Sequence, residues 1–172
     1  MSTLNVVLIE PQIPQNTGNI VRTCAATNTR LHLVGPMGFA IDNSKLKRAG
    51  LDYWHFMDIN MYNSTDDFFN KNKDGVFFYY TTKGKNIHSE VTYPDNCYLI
   101  FGREDAGLNE ELLYNNKDFC LRLPMQNDIR SLNLSNTVAI AVYEVLRQWN
   151  YPELKTDGNL TKFNWDDLNF NN

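Results

Sequence analysis

The chain lacks both common phosphate-cradling loops: no Gly-x-Gly-x-x-Gly follows its first apolar run, and no Gly-x-x-x-x-Gly-Lys-Ser/Thr occurs anywhere. A dinucleotide-binding Rossmann domain and a P-loop enzyme are therefore unsupported. The three histidines have no metal-ligand spacing, and no Gly-x-Ser-x-Gly offers a serine nucleophile. Cysteine is scarce: Cys24, Cys97 and Cys120 make an odd count with no Cys-x-x-Cys, each in an apolar setting. That predicts buried reduced thiols, with no disulfide and no metal site. Long apolar runs are missing too, since Val76 to Tyr80 and Val138 to Tyr143 fall far short of the roughly 20 residues a membrane helix needs. The N-terminus has no basic-then-apolar layout, so the expectation is a cytoplasmic protein without a membrane partner. Excess positive charge is also absent; a formal net charge of −4 argues against nonspecific coating of nucleic acid. A local basic face stays open, because Lys45, Lys47, Arg48, Arg22, Arg30, Lys83, Lys85, Arg103 and Arg130 are either gathered by the fold or scattered as solvated charges.

What the chain does have is 172 residues at 42% hydrophobic and 13% aromatic content, enough for one good core. Leu4 to Ile9 is a short β-branched run, the pattern of a buried strand in a parallel sheet. Pro11 and Pro14 force an extended connection, and Asn16 is placed to cap a helix running to about Thr27. Further strands are expected at Arg30 to Val34, Tyr53 to Phe56, Val76 to Thr82, Tyr98 to Phe101 and Phe119 to Leu123. Helices are expected after Asp42 to Ser44 (carrying Lys45, Lys47 and Arg48), from Thr65, over Asn109 to Tyr114, and over Leu134 to Trp149. Alternating strands and helices predict an α/β domain with a mainly parallel sheet flanked by helices, binding ligands beyond the carboxyl ends of its strands. The last helix is apolar all round over Val138 to Tyr143, which marks either a dimer interface or a central core helix.

Three patches sit at predicted strand ends. In the first, Asn16 to Arg22, Gly18 allows close backbone approach and Asn16 and Arg22 present polar groups; a capped surface helix is the plain alternative. In the second, Phe101 to Leu108, Gly102 leaves room for a ligand at the strand end and Gly107 permits a tight turn. Glu104 between them sits where a pocket carboxylate would. In the third, Leu123-Pro124-Met125 stops a strand and Arg130-Ser131-Leu132-Asn133 opens the last helix, whose first amides can bind a polar ligand edge or simply be capped.

Together these patches resemble the minimal SPOUT-type RNA ribose methyltransferases, most closely those acting at the tRNA wobble position. The matching residues run Glu10 to Asn19 with Arg22, then Pro36 to Phe39, Arg48 to Tyr53, Thr81 to Gly84, Phe101 to Leu108, and Leu123 to Met125 through Arg130 to Asn136. The resemblance implies a single methyltransferase domain over 1–152, with 153–172 a tail of unknown role. It implies a deep C-terminal trefoil knot, an S-adenosylmethionine pocket in the knot that releases S-adenosylhomocysteine, no metal, and a homodimer with active sites near the interface. Carried over by position, the cofactor contacts are Tyr80, Gly102, Leu123, Met125, Ser131 and Leu132. The catalytic set is Arg22, Asn16, Glu104, Ser131 and Asn133. Contacts to a tRNA anticodon stem-loop fall to Arg130, Lys83, Lys45, Lys47 and Arg48. The implied activity is 2′-O-methylation of cytidine or uridine 34, with tRNA-Leu isoacceptors as substrates. Another tRNA or rRNA position, or a catalytically inactive RNA-binding relative, are the alternatives.

Overall fold

The computed structural model describes residues 2–40 and 57–165. Seven strands form one sheet: β1 (Leu4–Ile9), β2 (Arg30–Val34), β3 (Ile59–Tyr62), β4 (Val76–Tyr80), β5 (Asn86–Ile87), β6 (Cys97–Phe101) and β7 (Cys120–Arg122). Their order is β3-β2-β1-β6-β4-β7-β5, and every pairing among them is parallel. The helices are α1 (Pro14–Ala26), α2 (Thr65–Lys71), α3 (Glu110–Asn115) and α4 (Leu134–Gln148), with a 3₁₀ turn at Lys117–Phe119.

Strand alternation explains the three layers. On β1, Val6 and Leu8 point to a core shared with Ile20, Val21 and Cys24 of α1 and with Val138, Val142 and Val145 of α4. Val7 and Ile9 point to the opposite core, with Phe68 of α2 and Leu113 of α3. All six residues of β1 are buried, as a central strand covered on both faces requires. The second core holds a polar network around His32, whose ring packs among Tyr62, Phe68 and Tyr98. Asn5 Nδ2 donates to the Cys97 carbonyl, so its Oδ1 faces His32 Nε2 at 3.1 Å. His32 Nε2 therefore carries the hydrogen, and Nδ1 accepts from Tyr62 Oη at 3.0 Å. Burial lowers the His32 pKa to about 4, so the ring is neutral.

Several expectations are corrected. Asn16 does not cap α1: Pro14 occupies the first turn, Ile13 is the cap residue, and Asn16 lies inside the helix, buried. Two strands, β3 and β5, form without the apolar run that would predict them. Of the two readings of α4, the central core helix does not hold for the single chain, where Ile140 is 43% and Tyr143 49% exposed. The three cysteines are free and buried, as expected from their apolar settings. The helix expected to carry Lys45, Lys47 and Arg48, and the strand expected at Tyr53 to Phe56, lie outside the described residues. No helix among the described residues is long and apolar enough to cross a membrane.

Candidate functional site

The carboxyl ends of β4, β6 and β7 open onto one cavity of about 610 Å³. Its walls are the starts of α1 and α4 and the segments that follow β4, β6 and β7. This is where an open parallel sheet receives a ligand, because the connections part there and leave helix starts and strand-end backbone groups pointing inward.

The turn after β6 forms one wall. Arg103 pairs with Gly107 across it, and the Gly107 amide donates to the Arg103 carbonyl at 2.9 Å. Gly107 has φ +71°, a conformation glycine adopts without strain. A Cβ on Gly102 would run into the Gly107 carbonyl and the Leu108 amide, so the turn itself requires glycine there. The turn folds flush against the strand end. Arg103 holds it from outside by ion pairs to Asp105 at 2.9 Å and Glu10 at 3.4 Å, both partly solvated.

Glu104 turns inward. Its Oε2 accepts from the Gln12 amide at 2.8 Å, and its Oε1 accepts from the Ile13 amide at 3.1 Å and from Asn16 Nδ2 at 3.2 Å. Asn16 Oδ1 in turn accepts from Asn133 Nδ2 at 3.0 Å. Asn133 Oδ1 caps α4, accepting from Ser135 N at 2.9 Å, Ser135 Oγ at 2.7 Å and Asn136 N at 3.4 Å. Of the two readings of the first amides of α4, ligand binding or capping, these two amides take the second. The Ser135 hydroxyl and the backbone amides of Gln12 and Ile13 are functional groups that sequence reasoning missed. An asparagine cap followed two residues later by serine is the local sequence trace of the Ser135 contact.

All six residues expected at the cofactor line the cavity: Tyr80, Gly102, Leu123, Met125, Ser131 and Leu132. Tyr80 is buried and stacked on Phe101 with ring centroids 4.9 Å apart. Its hydroxyl donates to that of Tyr93, which donates to the His88 carbonyl at 2.6 Å. Burial pushes the Tyr80 phenol well above its ordinary range, so it offers the cavity no charge. Of the residues expected in catalysis, Asn16, Glu104, Ser131 and Asn133 line the cavity, and Arg22 does not. Arg22 lies exposed on α1, nearly two turns beyond Asn16. Arg130 and Lys83 are at the cavity wall, with Lys83 ion-paired to Glu110. Lys45, Lys47 and Arg48 lie outside the described residues. Among the described residues no cluster of three His, Cys, Asp or Glu side chains is placed to hold a metal ion.

Comparison with known proteins matches this architecture to methyltransferases. The tRNA (cytidine(34)-2′-O)-methyltransferase of Escherichia coli (strain K12) is 47% identical over 150 residues, spanning 87% of this chain and 96% of its own. A solved structure described as giving structural insights into the 2-OH methylation of C/U34 on tRNA superposes with a TM-score of 0.82 at 40% identity, covering 87% of this chain and 97% of that one. An AdoMet-bound rRNA methyltransferase from Sinorhizobium meliloti superposes with a TM-score of 0.75 at 25% identity, over 86% of this chain and 57% of its own. The sequence pattern of the SpoU rRNA Methylase family matches residues 3–143, nearly the whole of the sheet and its helices. On sequence and fold alike, the chain belongs to the SpoU rRNA methylase family.

Proposed function

We propose that this chain transfers a methyl group from S-adenosylmethionine to the ribose 2′-hydroxyl of nucleotide 34, a cytidine or uridine, in tRNA. The observation that carries this is the near full-length identity to the E. coli enzyme named for that reaction, 47% over 96% of its length. The cavity suits the cofactor in size and lining. About 610 Å³ lies within the range of small-molecule sites. Leu123, Met125 and Leu132 give it an apolar side for a purine, and the backbone of Gly102 and of the strand ends gives it polar edges. Bound there, the cofactor supplies an electrophilic methyl group and leaves as S-adenosylhomocysteine.

The chain's own residues then have to bring a ribose hydroxyl into line and ease its deprotonation. Arg22 is assigned to the hydroxyl or its neighbouring phosphate. A guanidinium with a pKa above about 12 is a poor base, so Arg22 orients the group and stabilises developing alkoxide, with the proton passing to solvent or phosphate. Because Arg22 lies outside the cavity of one chain, this assignment fits a homodimer whose second copy completes the site. The exposed Ile140 and Tyr143 of α4 offer an apolar surface for it. Ser131 is assigned to the cofactor side, and Arg130, Lys83, Lys45, Lys47 and Arg48 to the anticodon stem-loop. The proposal includes tRNA-Leu isoacceptors as substrates and a cytoplasmic setting, in which the three buried thiols stay reduced. It also includes a single domain over 1–152 that ends in a trefoil knot. The position of β4 between the later strands β6 and β7 is in keeping with such threading.

The test is incubation with unmodified total tRNA, ribosomal RNA and labelled S-adenosylmethionine, followed by mapping of 2′-O-methyl groups. Label at tRNA nucleotide 34 is expected. Label confined to rRNA, which the family's description names, or to another tRNA position would replace the substrate, and no label at all would point to an inactive relative.

A further inference from the structure

We infer that Glu104, Asn16, Asn133 and Ser135 form one positioning unit for the methyl-transfer site, an inference that rests on the proposed function above. The hydrogen bonds between them allow one polarity only. A carboxylate can only accept, so Asn16 must turn Nδ2 toward Glu104 and Oδ1 toward Asn133. Asn133 must then turn Nδ2 toward Asn16, which leaves Oδ1 for the Ser135 amide, a group that can only donate. The run is thus fixed at one end by a charge and at the other by helix backbone, and neither amide can flip without opposing two donors or two acceptors.

The members come from the turn after β6, the start of α1 and the start of α4, which are three walls of the cavity. The unit therefore sets the gap between those walls. It also occupies the groups expected to act on substrate. Three N–H donors point at the two Glu104 oxygens, and three donors point at Asn133 Oδ1. Glu104 is matched to these donors in its acceptor-only form and is a positioning residue, not the base that takes the ribose proton. Ser135, buried and aimed at Asn133, belongs to the same unit.

Asn16→Asp tests this because it keeps shape and removes only the donor. With both carboxyls ionised, the introduced carboxylate and Glu104 repel across the gap that the hydrogen bond spanned; with one proton shared, the original pattern returns. The charged groups around that proton are Glu104, Arg22 on the same helix, the Glu10–Arg103–Asp105 cluster at the turn, and Lys83 and Arg130 at the cavity wall. Thermal midpoint and methyl transfer are measured against wild type at each pH from 8 to 5. The N16D midpoint deficit is expected to shrink from roughly 5 °C or more to about 2 °C or less, and its relative rate to rise at least about tenfold. Asn16→Ala, which cannot take up a proton there, is expected to stay impaired at every pH. Should N16D fail to fold at pH 8, Asn133→Asp carries the test, since it keeps the α4 cap and loses only the donor to Asn16. Ser135→Ala is expected to lower kcat by roughly three- to tenfold with little change in the KM for cofactor, and Ser135→Thr to restore it.

A pH-independent deficit in both aspartate variants overturns the unit, and unchanged kcat in S135A removes Ser135 from it. Wild type that transfers no methyl group while the aspartate variants keep their acid-recovering midpoints would leave the unit standing and sink the functional reading instead.

Discussion

Asn133 and Asn16 stand 117 positions apart in the chain, and the Nδ2 of the first donates to the Oδ1 of the second at 3.0 Å, tying the start of α4 to the first turn of α1. Asn133 also caps α4, so Asn133→Ala removes two roles at once. The lost cap costs about 1 kcal/mol, and a buried Asn16 Oδ1 left without its donor costs about 1–3 kcal/mol more. The thermal midpoint should fall by roughly 5–10 °C. Asn133→Asp retains the cap, so its loss above the acid range should be smaller than that of the alanine variant.

Gly102→Ala places a methyl group against the Gly107 carbonyl, which is backbone and cannot swing aside. The turn after β6 must move off the strand end, at a cost of roughly 1–3 kcal/mol. Because that turn is a cavity wall, S-adenosylmethionine affinity measured by calorimetry should drop at least about tenfold. Gly158→Ala, where an added Cβ meets nothing within 4 Å, should change neither stability nor affinity.

His32 makes folding stability depend on pH in a stated direction. Its pKa is lowered by burial from 6.5 to about 4, partly offset by Asp58. Between those two values the unfolded chain binds a proton that the folded chain refuses, so stability is full above the upper value and falls as the pH drops through the window. The loss should approach about 3 kcal/mol near pH 4. Denaturant titrations across this range check it, and His32→Gln should flatten the dependence while lowering stability at neutral pH by loss of the Asn5 and Tyr62 hydrogen bonds.

Lys83 and Arg130 sit at the cavity wall, where the proposal places the RNA. Replacing both by glutamine should weaken tRNA binding and reduce the slope of log K against log salt by roughly 0.7 per lost phosphate contact. Cofactor affinity should hold within about twofold, since neither charge is assigned to the cofactor. An unaltered slope would remove them from the RNA surface.

The legible parts of this fold are those in which burial alone decides the structure. Leu4–Ile9 and Arg30–Val34 could be bounded to the residue because strands buried on both faces are mostly apolar, with Asn5 and His32 as the buried polar exceptions. The edge strands Ile59–Tyr62 and Asn86–Ile87 could not, since half-exposed positions such as Asn60 and Asn86 carry no such run and pairing comes from the neighbouring strand. The cavity could be placed by its glycines and by the segments after β6 and β7. The purpose of its polar residues could not, because hydrogen bonds between Glu104, Asn16 and Asn133 span separations of 88 and 117 positions. Asn16 has the residue type of a cap and a role in the helix interior, which only the Glu104 carboxylate reveals.

The proposed reaction turns on one oxygen atom, the ribose 2′-hydroxyl of nucleotide 34. Two otherwise identical tRNAs, one of them carrying a single 2′-deoxy substitution at that nucleotide, are compared for transfer of label from S-adenosylmethionine. Strong labelling of the first and background labelling of the second are expected. Equal labelling of both would place the methyl group elsewhere and contradict the assignment.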